Sequence, residues 1–191
     1  MPVTVPRITG HLSEHYADDA NLTLAGYEAT GGFQSIRKAL ELEPEAVAEM
    51  VKASGLRGRG GAGFVAGLKW TFMPKESDRP KVLVCNGDES EPGSFKDRLI
   101  MDRGSFAAIE GMLIAAWATG AVKTFIYVRG EYALSVQRLE AAVAELSDRG
   151  YLGRDLFGKS GFVHDIVVHV GAGAYICGEE TGLLESLEGK K

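Results

Sequence analysis

The chain has 191 residues and a formal net charge of −5 at pH 7, and 45% of its residues are hydrophobic. This length suits one domain with a core of its own, and the acidic balance argues against a general nucleic-acid binder. The longest apolar run, residues 112–118, is far shorter than the roughly 20 residues of a membrane-spanning helix. No basic segment followed by an apolar one opens the chain, so we expect a soluble, intracellular protein.

The chain contains two cysteines, Cys85 and Cys177, which lie far apart in the sequence. Neither belongs to a C-x-x-C or Cys/His pattern, so the sequence predicts no zinc or iron–sulfur ligands. Both cysteines lie next to apolar residues and are expected to be reduced and buried. His11 and His15 are four residues apart, but without a third ligand nearby we expect a solvated surface pair.

Residues 1–32 show no sustained hydrophobic period. They are predicted to form an irregular N-terminal arm that wraps the domain or meets a partner, and residues 33–191 are predicted to form one α/β domain. That domain opens with a short amphipathic helix over residues 33–40. A second helix is predicted over residues 44–53, where Pro44 suits the first turn.

Residues 54–70 read Ser-Gly-Leu-Arg-Gly-Arg-Gly-Gly-Ala-Gly-Phe-Val-Ala-Gly-Leu-Lys-Trp and contain six glycines. Glycine costs about 0.5–1 kcal/mol relative to alanine in a regular element, so such a run makes sense where backbone must approach a ligand closely. Outward N–H groups of a glycine-rich loop bind anions, and Arg57, Arg59 and Lys69 add positive charge. The segment therefore indicates a nucleotide phosphate site. A flexible linker is the alternative, but linkers lack the bulky apolar residues found here.

Gly58, Gly60 and Gly63 match the pattern G-x-G-x-x-G, although this spacing alone is weak evidence. A Rossmann loop needs a strand directly before it, and a helix is predicted there instead. A protein kinase would also need H-R-D and D-F-G segments, which this sequence lacks. A Walker A loop ends in Gly-Lys-Ser/Thr, whereas residues 67–70 read Gly-Leu-Lys-Trp. The segment therefore resembles a phosphate or dinucleotide cradle of a less common kind.

A second unusual segment follows a strand that is predicted over residues 81–85. It reads Asn-Gly-Asp-Glu-Ser-Glu-Pro-Gly over residues 86–93 and carries three carboxylates within four residues. Ligands of open α/β sheets bind beyond the carboxyl ends of the strands, so we expect these oxygens to accept hydrogen bonds from ligand hydroxyl and amide groups. A solvated turn is the alternative, because Asn-Gly and Pro-Gly are turn signals.

Hydrophobic periodicity predicts helices over residues 104–119 and 131–149 and strands over residues 123–128 and 162–170. The alternation of strands and helices predicts βαβ units. We therefore expect an α/β fold with a Rossmann-like, largely parallel sheet and flanking helices.

A third segment follows the last predicted strand and reads Gly-Ala-Gly-Ala-Tyr-Ile-Cys-Gly-Glu-Glu-Thr over residues 171–181. A helix that begins here offers unpaired N–H groups and a partial positive charge. Glu179 and Glu180 occupy its first turn, however, and would repel a phosphate. We interpret them as acceptors for a polar ligand, with Tyr175 packed beside it. The alternative is that these carboxylates satisfy the end of their own helix.

Together, the segments "GLRGRGGAGF…GLKW", "CNGDESEPGSFKDR" and "GAGAYICGEETGLLESLEGK" resemble the NADH-binding, FMN-carrying subunit of respiratory complex I, the F-type subunit of NADH:quinone oxidoreductase. They are also similar to the diaphorase subunits of NAD-linked hydrogenases and formate dehydrogenases. The resemblance covers nearly the whole chain, from about residue 31 to the end. It implies that NADH reduces FMN by hydride transfer and that electrons pass to iron–sulfur clusters and on to quinone.

The resemblance also implies roles for individual residues. The implied cofactor-binding residues are Arg59, Gly60, Gly61, Lys69, Asn86, Asp88, Glu89, Tyr175, Gly178, Glu179 and Glu180. For NADH, the implied contacts are Phe64 and Phe72 with the adenine, Glu91 with a ribose and Glu180 on the nicotinamide side. No side-chain base is expected, because hydride transfer from NADH needs none; Glu180 tunes the reaction instead.

The implied partners are a thioredoxin-like [2Fe–2S] subunit and the other subunits of a redox complex. The implied location is peripheral, on the inner face of the cell membrane or on the matrix side in a mitochondrion. In the family a ubiquitin-like domain and a bundle that holds a [4Fe–4S] cluster follow, and this sequence lacks those cluster ligands. We therefore expect a fragment or a split gene product. Val65 and Ala66 stand where the family usually has proline and threonine.

Three alternatives stay open. The chain is a diaphorase subunit of a hydrogenase or formate dehydrogenase, or a non-catalytic assembly module that docks a thioredoxin-like subunit. The third alternative, a nucleotide phosphotransferase, predicts Mg²⁺-dependent ATP binding and is disfavoured by the loop motifs above.

Overall fold

A computed structural model describes residues 13–190, in which helices and strands alternate along the chain. The helices are α1 (Leu24–Ala29), α2 (Gln34–Leu40), α3 (Pro44–Ala53), α4 (Ala66–Thr71), α5 (Lys96–Arg103), α6 (Ser105–Thr119), α7 (Ala133–Asp148) and α8 (Glu180–Leu187). The strands are β1 (Val82–Gly87), β2 (Lys123–Arg129), β3 (Gly153–Arg154) and β4 (Val163–Gly171), and short 3₁₀ helices cover Asp19–Leu22, Leu156–Gly158 and Tyr175–Gly178. The expected pair of His11 with His15 lies outside the described residues, because residue 11 does. In the range 13–190, every helix is too short or too polar to cross a membrane.

The four strands form one sheet in the order β1-β2-β4-β3. β2 pairs in parallel with both β1 and β4, so that Val84, Phe125 and Val167 share one row across the sheet. The short β3 pairs antiparallel with β4, and its two residues are too few to show a period in the sequence. The prediction of a Rossmann-like α/β fold with a largely parallel sheet is confirmed.

The main core fills the space between one face of the sheet and the helices α6 and α7. Ile126 and Val128 of β2 point to this face and are fully buried, as are Leu113 of α6 and Leu139 of α7. The buried residues of α6 recur every three or four positions, which directs one side of the helix towards the sheet. The packing of α6 and α7 against this face supports the sheet whose carboxyl edge carries the candidate site.

The opposite face of the sheet is only partly covered in the described chain. Tyr127 packs there with Cys177 and with Leu183 of α8, whereas Val84 and Val167 are 37% and 39% exposed. Because α8 lies on this face, the segment that connects β4 to α8 passes the carboxyl ends of β1 and β2.

Residues 13–32, the described part of the predicted N-terminal arm, lie against the domain. Thr23 caps α1 by accepting a hydrogen bond from the backbone N–H of Gly26 at 3.1 Å. The side chain of Leu24 is buried in the main core, and Arg103 donates from Nε to the carbonyl oxygen of Tyr16 at 2.7 Å. The division into an arm and a domain stays a prediction.

A buried carboxylate joins these residues to the core. Glu110 of α6 accepts hydrogen bonds from the Tyr27 hydroxyl at 2.6 Å and from the backbone N–H groups of Phe33 and Ile36 at 2.8 and 3.0 Å. Phe33 holds a left-handed conformation with φ of 60° just before α2, which is uncommon for a residue with a side chain. Glu110 therefore attaches both the start of α2 and the Tyr27 side chain of α1 to α6.

His164 of β4 is fully buried on the core side of the sheet. Its Nδ1 lies 2.9 Å from the carbonyl oxygen of Ala121 and its Nε2 lies 2.8 Å from Oγ1 of Thr124. Since a carbonyl only accepts, Nδ1 carries the proton and Nε2 accepts from the hydroxyl. Burial lowers the pKa of His164 below its usual 6.5, because desolvation disfavours the charged ring.

This histidine predicts a loss of stability in mild acid. Its pKa is lower in the folded than in the unfolded chain, so the unfolded chain takes up the proton first. The stability that neutral His164 contributes is fully present above pH 6.5. It is lost as the pH falls from there towards the lower pKa of the folded protein. We expect the free energy of unfolding in urea to decline between about pH 7 and pH 5, and to decline less in His164→Phe. Equal slopes in the two proteins would contradict this assignment.

Candidate functional site

The three unusual segments of the sequence meet at the carboxyl edge of the parallel strands. β1 ends at Gly87 and β4 ends at Gly171, with β2 between them. The segments that follow β1 and β4 are nevertheless joined by hydrogen bonds, and the glycine-rich segment faces the same cavity. Together they enclose an open cavity of about 800 Å³, which is lined by Arg59, Gly60, Gly61, Asn86, Asp88, Glu89, Ser90, Glu91, Ser94, Lys96, Asp97, Tyr175, Ile176, Gly178 and Glu179.

A second cavity of about 600 Å³ adjoins the first, and both are lined by Asn86. Lys69, Phe72 and Glu180 line this second cavity. Nine of the eleven residues implied as cofactor ligands thus line the first cavity, and the other two line the second. Phe64 lines neither, although its ring lies 6.0 Å from that of Phe72, tilted by 54°.

The glycine-rich segment forms a tight loop that is closed by backbone hydrogen bonds. The N–H of Gly58 donates to the carbonyl of Phe64 at 2.8 Å, and Arg57 donates from Nη1 to the carbonyl of Gly63 at 2.9 Å. Arg57 is therefore used to brace the loop. Arg59, by contrast, lines the cavity and makes no hydrogen bond or ion pair with any residue from 13 to 190. A cation in this position is available to an anionic ligand.

The glycines of this segment serve different purposes. A Cβ at Gly67 would overlap the backbone of Lys52, so this glycine allows α3 and α4 to pack closely. Gly61 has φ of 118°, a backbone conformation that other residues avoid. Gly60 has no such φ, and a Cβ there would meet nothing within 4 Å. The fold alone does not require glycine at position 60, which points to a ligand that approaches the backbone.

The acidic segment is held in place by its own polar groups. Asn86 donates from Nδ2 to the carbonyl of Gly178 at 3.0 Å and accepts from the N–H of Asp88 at 3.1 Å. Ser90 donates its hydroxyl to Oδ2 of Asp88 at 3.0 Å. Partial burial raises the pKa of Asp88, against the effects of the Ser90 hydroxyl and the nearby Arg129. These contacts present Asp88 and Asn86 at the end of β1.

Glu89 lines the cavity, but its carboxylate turns away into the protein. The side chain is only 2% exposed, and its carboxylate accepts from the backbone N–H groups of Asp97 and Arg98, both at 3.0 Å. It thus satisfies the first turn of α5, where a negative charge is favourable. The sequence could not show that this carboxylate, unlike that of Asp88, is committed to a helix.

The segment after β4 closes the cavity on the other side. Tyr175 donates its hydroxyl to Oε2 of Glu91 at 2.6 Å, and this hydrogen bond raises the pKa of the Tyr175 phenol. Glu179 accepts from the backbone N–H groups of Thr181 and Gly182 at 3.0 and 3.2 Å. These bonds lower the pKa of Glu179, so this carboxylate does cap its own helix, as the alternative interpretation held.

An ion pair connects the glycine-rich segment with α8. Nζ of Lys69 lies 3.2 Å from Oε2 of Glu180, and the two side chains are 67% and 74% exposed. An ion pair this exposed contributes at most about 1 kcal/mol. It therefore holds the two side chains near each other without locking them.

Several lining residues received no individual role from the sequence, although they lie within the segments that carry the resemblance; among them are Ser94, Lys96, Asp97 and Ile176. Lys96 could have been found, because it opens a helix directly after the acidic segment, where its charge offsets neighbouring carboxylates. No group of three or more His, Cys, Asp or Glu residues suited to a metal ion occurs between residues 13 and 190.

Comparisons with known proteins identify the family of the chain. The model of the Nuo51 FMN-binding domain family matches residues 51–191. The chain is 54% identical over 169 residues to the second F-type NADH-quinone oxidoreductase subunit of Rhizobium meliloti, a match that covers 88% of this chain and 40% of that protein. The F-type subunit of Mycobacterium tuberculosis is 49% identical over 198 residues, covering 100% of this chain and 44% of that protein.

The solved structures that match include an NAD⁺-reducing [NiFe]-hydrogenase in the H₂-reduced state. It matches with a TM-score of 0.68 and 40% identity over 80% of this chain and 26% of the hydrogenase chain. The chain spans about two fifths of the length of the curated relatives above. The resemblance inferred from the three sequence segments is confirmed: the chain belongs to the Nuo51 FMN-binding domain family.

Proposed function

We propose that this chain is the FMN-binding part of the flavin subunit of an NADH dehydrogenase of the NADH:quinone oxidoreductase type. The observation that carries the proposal is one cavity with two kinds of lining. Side-chain-free backbone and an arginine that has no partner among residues 13–190 form one part of the lining, and carboxylates and an amide form another. FMN has the same division, with a phosphate at one end and hydroxyl and amide groups along the rest.

The residues fit this cofactor. Backbone N–H groups at Gly60 and Gly61 would hold the phosphate together with Arg59 and Lys69, since glycine-rich loops form anion-binding concavities. The carboxylate of Asp88 and the amide oxygen of Asn86 would accept hydrogen bonds from hydroxyl or N–H groups of the cofactor. Glu89, Tyr175, Gly178 and Glu179 would complete the wall. When bound, FMN supplies the hydride acceptor, so the protein's part is binding, orientation and electrostatics.

NADH is proposed to enter from the side of the second cavity. Phe64 and Phe72 are 47% and 65% exposed, which leaves their ring faces accessible for stacking on an adenine. Glu91 and Glu180 offer acceptors to ribose and nicotinamide groups. The carboxylates that line the first cavity outnumber its cations, which keeps the affinity for an anionic dinucleotide moderate and favours its release.

Reconstitution tests the proposal. We expect the purified chain to bind FMN with quenching of flavin fluorescence, and the flavin absorbance to bleach when NADH is added without oxygen. An absence of FMN both in the chain and in any complex isolated with it would contradict the proposal and favour the assembly module. Mg²⁺-dependent binding of ATP without flavin binding would favour a phosphotransferase instead.

Replacement of Glu180 by glutamine tests the nicotinamide side. We expect Glu180→Gln to tighten NADH binding by about threefold and to raise the flavin reduction potential, because one negative charge beside both ligands is removed. The melting temperature should change little, since the ion pair with Lys69 is exposed. Glu188→Gln, one residue beyond the same helix, is the matched control. An unchanged NADH affinity and an unchanged potential in Glu180→Gln would remove this role.

The proposed assembly follows the family. We propose a thioredoxin-like [2Fe–2S] subunit as the electron acceptor and a peripheral place on the inner face of the membrane. The hydrogenase structure with TM-score 0.68 supports a second candidate, a diaphorase subunit of an NAD-linked hydrogenase. Purification of the native complex separates the two, because hydrogen-dependent reduction of NAD⁺ occurs only in the second.

A further inference from the structure

The last residue of β2 lies behind the acidic segment, outside the cavity wall. Arg129 donates from Nη1 to the carbonyl oxygen of Glu89 at 2.7 Å and from Nη2 to Oε1 of Glu131 at 3.2 Å. Its guanidinium carbon lies 5.3 Å from the ring centre of Tyr132. Only 24% of the side chain is exposed, so one planar group is fixed by two acceptors and an aromatic ring.

Tyr132 supports the same carbonyl. Its hydroxyl lies 3.3 Å from the carbonyl oxygen of Glu89 and 3.3 Å from Oε2 of that residue. The Glu89 carboxylate is separately bound by the first turn of α5. Glu89 is thus anchored on two sides, through its carboxylate to a neighbouring helix and through its carbonyl to the end of the central strand.

The anchored residue lies between side chains that face the cavity. Asp88 and Ser90 flank Glu89 directly and Glu91 follows, and all three line the cavity wall. β2 lies between β1 and β4, the two strands that carry the acidic segment and the segment with Tyr175. The end of β2 therefore lies between the starts of these two segments.

We propose that Arg129 is a positioning residue for the flavin site: by holding the carbonyl of Glu89, it sets where Asp88 and Glu91 stand along the cavity wall. The inference rests on the proposed function, that this cavity binds FMN. Arginine suits the task better than lysine, because its planar fork reaches two acceptors at once while it stacks on a ring. Arg129 also opposes the rise that burial causes in the pKa of Asp88.

The test compares Arg129→Gln and Arg129→Lys with Lys123→Gln, a charge removal at the opposite end of the same strand. Two readouts are needed: amide hydrogen exchange over residues 88–94 in protein prepared without flavin, and FMN titration with the absorption spectrum of the bound flavin. We expect Arg129→Gln to exchange faster over these residues, to weaken FMN binding by about tenfold and to alter the spectrum. Arg129→Lys should lie in between, and Lys123→Gln should match the wild type.

The inference is overturned if Arg129→Gln keeps the exchange rates and the FMN affinity of the wild type within about twofold and leaves the spectrum of the bound flavin unchanged, even when its melting temperature falls. If Arg129→Gln does not fold, Tyr132→Phe removes the second donor to the same carbonyl and should change both readouts in the same direction. An absence of FMN both in the wild-type chain and in any complex isolated with it would contradict the proposed function and leave the role of Arg129 in the protein untouched. Exchange over residues 88–94 would then decide whether Arg129 holds the segment.

Discussion

Gly60→Val is expected to weaken FMN binding by about 100-fold, or about 2.7 kcal/mol, and to leave thermal unfolding nearly unchanged. A Cβ at this position meets no protein atom within 4 Å, and the backbone there does not need positive φ, so the fold tolerates a side chain. The branched side chain would instead occupy the space through which a phosphate reaches the loop N–H groups. Fluorescence titration with FMN and a thermal melt measure the two effects.

Gly67, in the same segment, provides a control in which stability should fall while FMN affinity is kept. Gly67→Ala places a methyl group against the backbone of Lys52 and should cost about 2 kcal/mol of stability through forced separation of α3 and α4. FMN affinity of the folded protein should stay within about threefold of the wild type. If Gly60→Val melts early and binds FMN normally, position 60 is structural and the phosphate assignment fails.

Glu110→Ala is expected to lower the free energy of unfolding by about 3 kcal/mol. The substitution leaves the Tyr27 hydroxyl and the N–H groups of Phe33 and Ile36 without their acceptor, and each buried unpaired donor carries a cost of about 1 kcal/mol or more. Glu110→Gln keeps one carbonyl oxygen, so a loss of about 1 kcal/mol is expected. Urea denaturation measures both.

A matched control for this position is Glu140→Ala, an exposed glutamate on α7, which should stay within about 0.5 kcal/mol of the wild type. A loss of similar size in Glu140→Ala and Glu110→Ala would show that charge alone matters and that the hydrogen bonds of Glu110 do not.

The long periodic segments can be predicted from the sequence almost to the residue. The helix predicted over 104–119 is observed as α6 (Ser105–Thr119), and the strand predicted over 123–128 is β2 (Lys123–Arg129). Each is a largely apolar run whose ends are marked in the sequence, α6 by Gly104 and Gly120 and β2 by Lys123 and Arg129. By contrast, α5 (Lys96–Arg103) opens with charged residues and shows little hydrophobic period. Its first turn is stabilised by the carboxylate of Glu89, a contact that the sequence does not reveal.

The composition of the site was predictable, but its hydrogen bonds were not. Charge and glycine content indicate which segments face a ligand, since these properties belong to the residues themselves. Whether a carboxylate faces the cavity or caps a helix depends on where distant N–H groups lie, as Glu89 and Glu179 show. The contact of Tyr175 with Glu91, 84 positions apart in the chain, likewise exists only after folding.

The ion pair of Lys69 with Glu180 has a consequence for how the two ligands affect each other's binding. On the proposed assignment, the lysine is needed by the flavin phosphate and the glutamate by the dinucleotide, and each neutralises the other in this structure. Drawing Lys69 towards a phosphate would leave the charge of Glu180 uncompensated, so the bound flavin would lower the affinity of the site for the anionic dinucleotide. Thermodynamic linkage makes this antagonism mutual: the dinucleotide should lower the affinity for the flavin by the same factor by which the flavin lowers the affinity for the dinucleotide.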